Sequence, residues 1–318
     1  MKAVVYDRYG GPDRLRLEEI PTPVPGAGEV LVRVAATSVN LTDWEGLRGS
    51  PMYARIDGLR RPARRTLGSD IAGRVEAVGR GVTRFQPGDE VYGDNLGLKG
   101  GFAELAVMPE RAITTRPTGL TFAEASTIPQ AGAIALQGLA GVGEGGRVLI
   151  NGAGGGSGSF AIQLAKRAGA HVTGVDNAGK LDFMRMLGAD EVIDYQSADF
   201  TRGDEPWDLV LDLVGRRSVF AYRRALRPGG RYSWVGGSVR ALLRVVTIGA
   251  LSARLTGRRI GLLMVRQGPA HFEGIADLCH QGEIDIHIDR TYRLDEVPDA
   301  VRRVGEGRAL GKVVVEVD

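Results

Sequence analysis

A single cysteine, Cys279, in 318 residues excludes an internal disulfide and a zinc site built from cysteines. That thiol is expected to be core packing rather than chemistry. No run of 18 apolar residues free of charge occurs, which excludes a helical membrane span of the usual kind. The opening "MKAVVYDRYGG" lacks the apolar stretch of a secretory signal, so a cytoplasmic location is expected. Internal repeats and low-complexity tracts are absent. Lysine is scarce against arginine, and the formal charge is only +3. This mild excess collects at Arg60, Arg61, Arg64 and Arg65 and in the acid-free stretch from Arg240 to Arg266. Such patches suit a solvated face, a phosphate or an acidic surface.

What remains is ordinary soluble composition, 43% hydrophobic and 25% charged, long enough for two domains. The first 110 residues alternate short apolar runs ("KAVVYD", "EVLVRVAATSVN", "IAGRVEAVG", "DEVYG", "FAELAVM") with Pro- and Gly-rich turns, which predicts a β-barrel-like domain. From Gly146 the pattern becomes strand and helix in turn, the βαβ rhythm of a doubly wound parallel sheet. The tail after Val265 carries a helix and the strand "KVVVEV". With no sheet of its own, it is expected to return to the first domain.

The strongest local motif is "VLINGAGGGSGSFAIQLAK". It places Gly152, Gly155 and Gly158, with Gly156 and Ser157 between the last two, where an apolar strand turns into an amphipathic helix. Backbone without side chains lets a phosphate approach, and the helix N-terminus offers free N–H groups and the positive end of its dipole. Asp176 ends the next strand, where a carboxylate accepts from a ribose 2′-hydroxyl. The cofactor expected is a nicotinamide dinucleotide.

Several motifs in order resemble the medium-chain dehydrogenase/reductases: "SVNLTDW" (38–44), "LGSDIAGRVEAVG" (67–79), "RFQPGDEVYG" (84–93), "GGFAELAVMPE" (100–110), "GLTFAEASTIPQAGAIALQGL" (119–139), "INGAGGGSG" (150–158), "LGADEVIDY" (187–195) and "ALGKVVVEV" (309–317). The resemblance spans nearly the whole chain. It implies an α/β architecture, a GroES-like β-barrel catalytic domain over 1–118 completed by 266–318, and a Rossmann domain with a doubly wound parallel sheet over 119–265. In the zinc-dependent members a cysteine would stand at Asn40, and histidine and glutamate at Ser69 and Asp70. With those replaced and no four-cysteine lobe, no metal is expected.

The chain is most similar to the zinc-independent quinone oxidoreductase branch. By that resemblance Asn40 and Asp43 lie beside nicotinamide and substrate, Asn40 as a hydrogen-bond donor and Asp43 orienting its neighbours. Read alone, Asn40 is also a strand-end turn residue, Asp43 a helix cap, and Ser69 and Asp70 a turn. Tyr53, in the loop after "RGSP", is a candidate proton donor independent of the resemblance; where the branch has a tyrosine just after the motif aspartate, this chain departs with Trp44 and Glu45. Lys180 and Tyr195 match the pair that holds the 2′-phosphate of NADPH, whereas Asp176 favours NADH, so the cofactor is NAD(P)H. Val214, Gly236 and Gly237, after the later strands, complete the expected dinucleotide site.

The implied activity is reduction of quinones or α,β-unsaturated carbonyls. The alternatives are a metal-independent alcohol or carbonyl dehydrogenase and a crystallin-like, cofactor-regulated RNA-binding protein. The segment 238–265, rich in leucine, valine and arginine, predicts a broad apolar face that a membrane surface, a second subunit or an interdomain cleft would cover. The resemblance favours the last two and implies a homodimer without nucleic acid or integral membrane segment as partner.

Overall fold

The structure is a computed structural model. It describes residues 1–56, 58–203 and 205–317, apart from the side chains of Ala250, Leu251, Ala253 and Arg254. It divides into one unit formed by Met1–Gln130 and Arg266–Asp318 and another formed by Ala131–Val265.

The first unit is built on β1 (Lys2–Val5), β2 (Arg16–Glu19), β3 (Glu29–Val39), α1 (Leu41–Arg48), β4 (Asp70–Val78), β5 (Glu90–Asp94), β6 (Leu105–Pro109), β7 (Ile113–Thr115) and α2 (Phe122–Thr127). The chain leaves this unit within α3 (Pro129–Gly138). The second unit follows with β8 (Arg147–Asn151), α4 (Gly156–Arg167), β9 (His171–Asp176), α5 (Leu181–Met186), β10 (Glu191–Asp194), β11 (Trp207–Asp212), α6 (Val219–Ala225), β12 (Leu226–Trp234), α7 (Val239–Thr256) and β13 (Arg259–Leu262). The chain then returns as α8 (Glu273–His280), β14 (Ile288–Arg293), α9 (Val297–Gly305) and β15 (Lys312–Glu316).

The larger sheet of the first unit runs β14-β15-β3-β4-β5-β7, with β6 also paired to β3. β3 is its spine. Val30, Val32 and Val34 recur at the two-residue period and bury one face against Ile71, Val75, Val91, Ala106, Met108 and Ile113. Register shifts between Leu31 and Val32 and between Val34 and Ala36 mark bulges that re-aim the strand. Its last residue, Val39, therefore enters a second core with Leu47, Leu67, Phe102, Val301, Val313 and Val315. β15 pairs antiparallel with β3 through Val313 and Val39, so residues near the end of the sequence lie against residues near its start.

The expected boundary at 118/119 lies twelve residues before the division of the structure into units, which falls after Gln130. Residues 119–130 stay with the first unit, because α2 packs on β3, β4, β5 and β15. Its capping box, Thr121 with Glu124, starts that helix within the unit.

The second unit is a six-stranded parallel sheet of order β10-β9-β8-β11-β12-β13. Numbered from β8, this is 3-2-1-4-5-6, the dinucleotide-binding order, with the switch in winding between β8 and β11. Its sixth strand, "RIGL", lies inside the segment read from sequence as one amphipathic stretch. Val245 of α7 is buried with Ala241, Leu242 and Ile248 against the core of this unit. Leu243, Val246 and Leu255 remain exposed.

Candidate active site

Asn40 follows directly on β3 and caps α1. Its backbone N–H donates to Asp43 Oδ2 at 2.8 Å, and the other carboxylate oxygen of Asp43 accepts from Gly68 N at 2.9 Å. Asp43 therefore ties the start of α1 to the lead-in of β4. Expected beside the reacting groups, where it would orient its neighbours, Asp43 has both carboxylate oxygens engaged by backbone N–H groups. Burial raises its pKa, against the pull of those two N–H bonds. Gly68 has φ of +88°, and a Cβ there would lie 2.8 Å from Phe102 N, so only glycine brings this backbone close enough.

The side chain of Asn40 is held at both ends. Lys312 Nζ donates to its Oδ1 at 2.7 Å, and its Nδ2 donates to Asp70 Oδ2 at 2.9 Å. Chemistry fixes the amide's orientation, because an ammonium only donates and a carboxylate only accepts. Asp70 Oδ2 also receives Ser38 Oγ at 3.3 Å and lies 3.5 Å from Lys312 Nζ, while its Oδ1 accepts from Gln130 N at 3.1 Å. Sheet register makes this row. Ser38 pairs with Asp70, Asp70 with Asp94, and the residue after Lys312 pairs with Val39.

Lys312 and Asp70 are 2% and 0% exposed and Asn40 is 7% exposed, so the row is shielded from water. Burial pushes the Asp70 carboxyl up and the Lys312 ammonium down, and their mutual attraction opposes both shifts. Burial next to Asp70 pushes Asp94 up to about 8. Ser69 Oγ is buried without a hydrogen-bond partner. The opening pair of "SDIAG" thus splits, Asp70 into the row and Ser69 out of it.

These residues do not fit zinc. The donors are an amide, a hydroxyl and a carboxylate already bonded to an ammonium, and a second cation on the same side chains would be repelled. No group of three or more His, Cys, Asp or Glu positioned for a metal occurs among the described residues.

Tyr53, the sequence candidate for proton donation, hydrogen-bonds Glu45, whose carboxyl burial pushes up to about 7. Trp44 is structural. Its ring lies so close to Gly305 of α9 that a Cβ there would come within 2.0 Å of it. Cys279 is a half-buried thiol on α8, pushed up to about 12 by burial.

In the second unit the expected cofactor residues lie at the C-terminal ends of the parallel strands, in the turns that follow, or in the first turn of α4. Gly152, with φ of +89°, turns the chain after β8, and a Cβ on it would meet Val214 at 3.0 Å. Gly155 caps α4, and Gly156, Ser157 and Gly158 form its first turn, whose N–H groups have no partner four residues back within the helix. A Cβ on Gly158 would lie 2.4 Å from Gly152 O, so this glycine lets helix and loop close together. Gly236 and Gly237 follow β12. A Cβ on Gly215 would sit 2.4 Å from Gly236 O, which draws the turns after β11 and β12 together.

Asp176, Lys180 and Tyr195 gather at the ends of β9 and β10. Asp176 accepts from Gly154 N at 3.1 Å and from Asn177 N at 2.9 Å, and it pairs with Lys180 Nζ at 3.5 Å. Tyr195 N donates to Asp176 O at 3.1 Å, with the ring partly exposed. The carboxylate expected to read the ribose is therefore compensated by the lysine expected to read a phosphate.

Asp212, at the end of β11, carries no motif that marks it in the sequence. Its Oδ1 accepts from Asn151 Nδ2 at 2.8 Å, Val214 N at 3.1 Å and Gly215 N at 2.9 Å, and Tyr232 donates to Oδ2 at 2.7 Å. It builds the turn at the switch in winding. An acid closing the apolar run "WDLVLD" was the available signal.

A sheet of this order with an open glycine turn, joined in one chain to a barrel-like unit holding a buried polar row, defines a two-unit dehydrogenase/reductase. Residues 26–118 match the alcohol dehydrogenase GroES-like domain family and residues 187–315 the zinc-binding dehydrogenase family. A mitochondrial NAD(P)H oxidoreductase of Bos taurus is 31% identical over 357 residues, covering 100% of this chain and 89% of that protein. A 2-methylene-furan-3-one reductase of Solanum lycopersicum is 32% identical over 331 residues, covering 99% and 79%. The solved quinone oxidoreductase of Coxiella burnetii matches with a TM-score of 0.89 at 29% identity, over 100% of this chain and 99% of that one. The chain belongs to the medium-chain dehydrogenase/reductase superfamily, in its quinone oxidoreductase-like branch. No helix among the described residues is long and apolar enough to cross a membrane.

Proposed function

We propose that the protein is a zinc-independent NAD(P)H-dependent reductase of quinones or α,β-unsaturated carbonyls. The observation that carries this reading is the Lys312–Asn40–Asp70 row, in which an ammonium bonds Asn40 and Asp70, the residues that by the resemblance replace a cysteine and a glutamate of the zinc-dependent members. Alkoxide chemistry loses its Lewis acid there, whereas a conjugated acceptor spreads charge over its own carbonyl. The similar proteins named above, a quinone oxidoreductase and an enone-type reductase, support the same class.

NAD(P)H, when bound, supplies the hydride. The turn at Gly152–Gly158 and the N-terminus of α4 hold its pyrophosphate. Asp176, Lys180 and Tyr195 meet its adenosine ribose. Asn40 keeps one amide hydrogen outside the row, and that N–H stabilises the oxygen on which charge develops. Asp43 fixes the backbone from which Asn40 projects.

A homodimer in the cytoplasm belongs to this reading. Exposed Leu243, Val246 and Leu255 on α7, beside the edge strand β13, support the assembly, and the unpaired thiol of Cys279 suits a reducing compartment. A panel of quinones, enones, aldehydes and alcohols assayed with NADH and NADPH by nicotinamide absorbance tests the activity. Turnover confined to alcohols and simple aldehydes would overturn it.

A further inference from the structure

We propose that Lys312 is the positioning residue of this site, anchoring the Asn40 amide so that its remaining N–H stays fixed for the substrate oxygen. The inference rests on the reductase reading and names how its donor is held.

Lys312 is the first residue of β15 and is delivered across the ladder to the end of β3, where its ammonium meets Asn40 Oδ1 at 2.7 Å. Asn40 Nδ2 is bound to Asp70 at 2.9 Å, so rotation of the amide about its last torsion would break two charge-assisted hydrogen bonds. Neutral partners in water would leave that torsion broad.

Stability alone is a poor reason for the arrangement. Removing an ammonium and a carboxylate from water carries a large desolvation cost, and buried pairs are often replaced by uncharged groups without loss. What an uncharged apolar replacement does not supply is a donor aimed at Asn40 Oδ1. Misplacement of a reacting group by about 1 Å can lower turnover on the order of 10²-fold, so holding this amide is worth more to the rate than to the fold.

The test removes the charge question by working with Asp70→Asn throughout. The double variant Asp70→Asn/Lys312→Gln keeps a neutral donor toward Asn40 Oδ1, and Asp70→Asn/Lys312→Met has nearly the same bulk without it. Both should fold with similar melting temperatures and bind NADPH alike. With an enone acceptor the Met variant is expected to lose about tenfold or more in kcat relative to the Gln variant, at unchanged cofactor KM. Equal kcat in the two variants would overturn the proposal.

A readout independent of turnover is the side-chain amide resonance of Asn40, assigned by its loss in Asn40→Ala. Its exchange with solvent is expected to be slow in the wild type and the Gln variant and fast in the Met variant; equal protection in all three also overturns the anchor. A wild type that shows slow amide exchange yet reduces neither quinones nor enones would sink the reductase reading and leave the anchor standing.

Discussion

Lys312 and Asn40, 272 positions apart in the chain, meet through a 2.7 Å hydrogen bond at the end of two paired strands. Their contact closes a polar row in which the Lys312 ammonium is drawn to the carboxyl groups of Asp70, Asp43 and Asp94, with Lys99 also acting on Asp43. The chemistry expected of the protein follows from which of these groups keep a free hydrogen or a free charge.

Asn40→Ala is expected to lower kcat for an enone on the order of 10²-fold, the usual loss for one donor to a developing oxyanion. The dinucleotide dissociation constant should stay near its wild-type value, because the glycine turn and α4 are untouched. Stopped-flow turnover and fluorescence titration separate the two. A wild-type rate would return Asn40 to the role of a helix cap.

Purified protein is expected to carry no stoichiometric zinc and to keep full activity after chelation, since the ammonium of Lys312 already bonds the side chains that would serve as ligands. Elemental analysis measures this, and one zinc per chain lost together with activity would contradict it.

Asp176→Ser is expected to raise the NADPH to NADH ratio of kcat/KM by roughly tenfold, the scale of one charge-assisted hydrogen bond. The substitution removes a negative charge and releases Lys180 from its 3.5 Å pairing. It also removes the acceptor for Gly154 N, so a small fall in melting temperature should accompany the switch. An unchanged ratio would mean that Lys180 does not reach the 2′-position.

Asp94 makes stability depend on pH. Its carboxyl is pushed up to about 8 by burial first and by Asp70 next, with Asp43 adding to the shift and Lys312 opposing it. An unfolded aspartate titrates near about 4, so between about pH 4 and 8 the folded state holds a proton that the unfolded state has released. Stability from this group is complete below that window and is lost as pH rises through it, at up to about 1.4 kcal/mol per unit. Asp94→Asn should therefore gain on the wild type as pH is raised from 5 to 8, measured by urea unfolding. A constant difference across that range would mean that Asp94 is ionised in the folded state throughout.

Local chemistry made the second unit legible in the sequence. Its strands are continuous apolar runs, its glycines stand where strand becomes helix, and Asp176, Lys180, Tyr195, Val214, Gly236 and Gly237 are all counted from strand ends. β13 was hidden because "RIGL" lies among arginines that follow an amphipathic helix, and only its parallel pairing to β12 makes it a strand. In the first unit, Asn40 and Asp43 were legible as a motif. Lys312 was not, because its meaning depends on a register that brings β15 to β3 across most of the chain. The compensation of Asp176 by Lys180 was likewise invisible, since sequence offers each residue a role toward the cofactor and says nothing of their contact.

The first unit is interrupted by the whole of the second, and β15 supplies its ammonium only after every residue of that insertion has been made. On the ribosome, Asp70 and Asn40 are in place long before Lys312 exists. The nascent barrel therefore holds a carboxyl with no counter-charge, in a sheet that lacks its partner strand beside β3. The dinucleotide-binding unit, contiguous in sequence, is free to fold first. On the proposed role of Lys312, the anchor of the Asn40 amide is thus one of the last features the growing chain acquires.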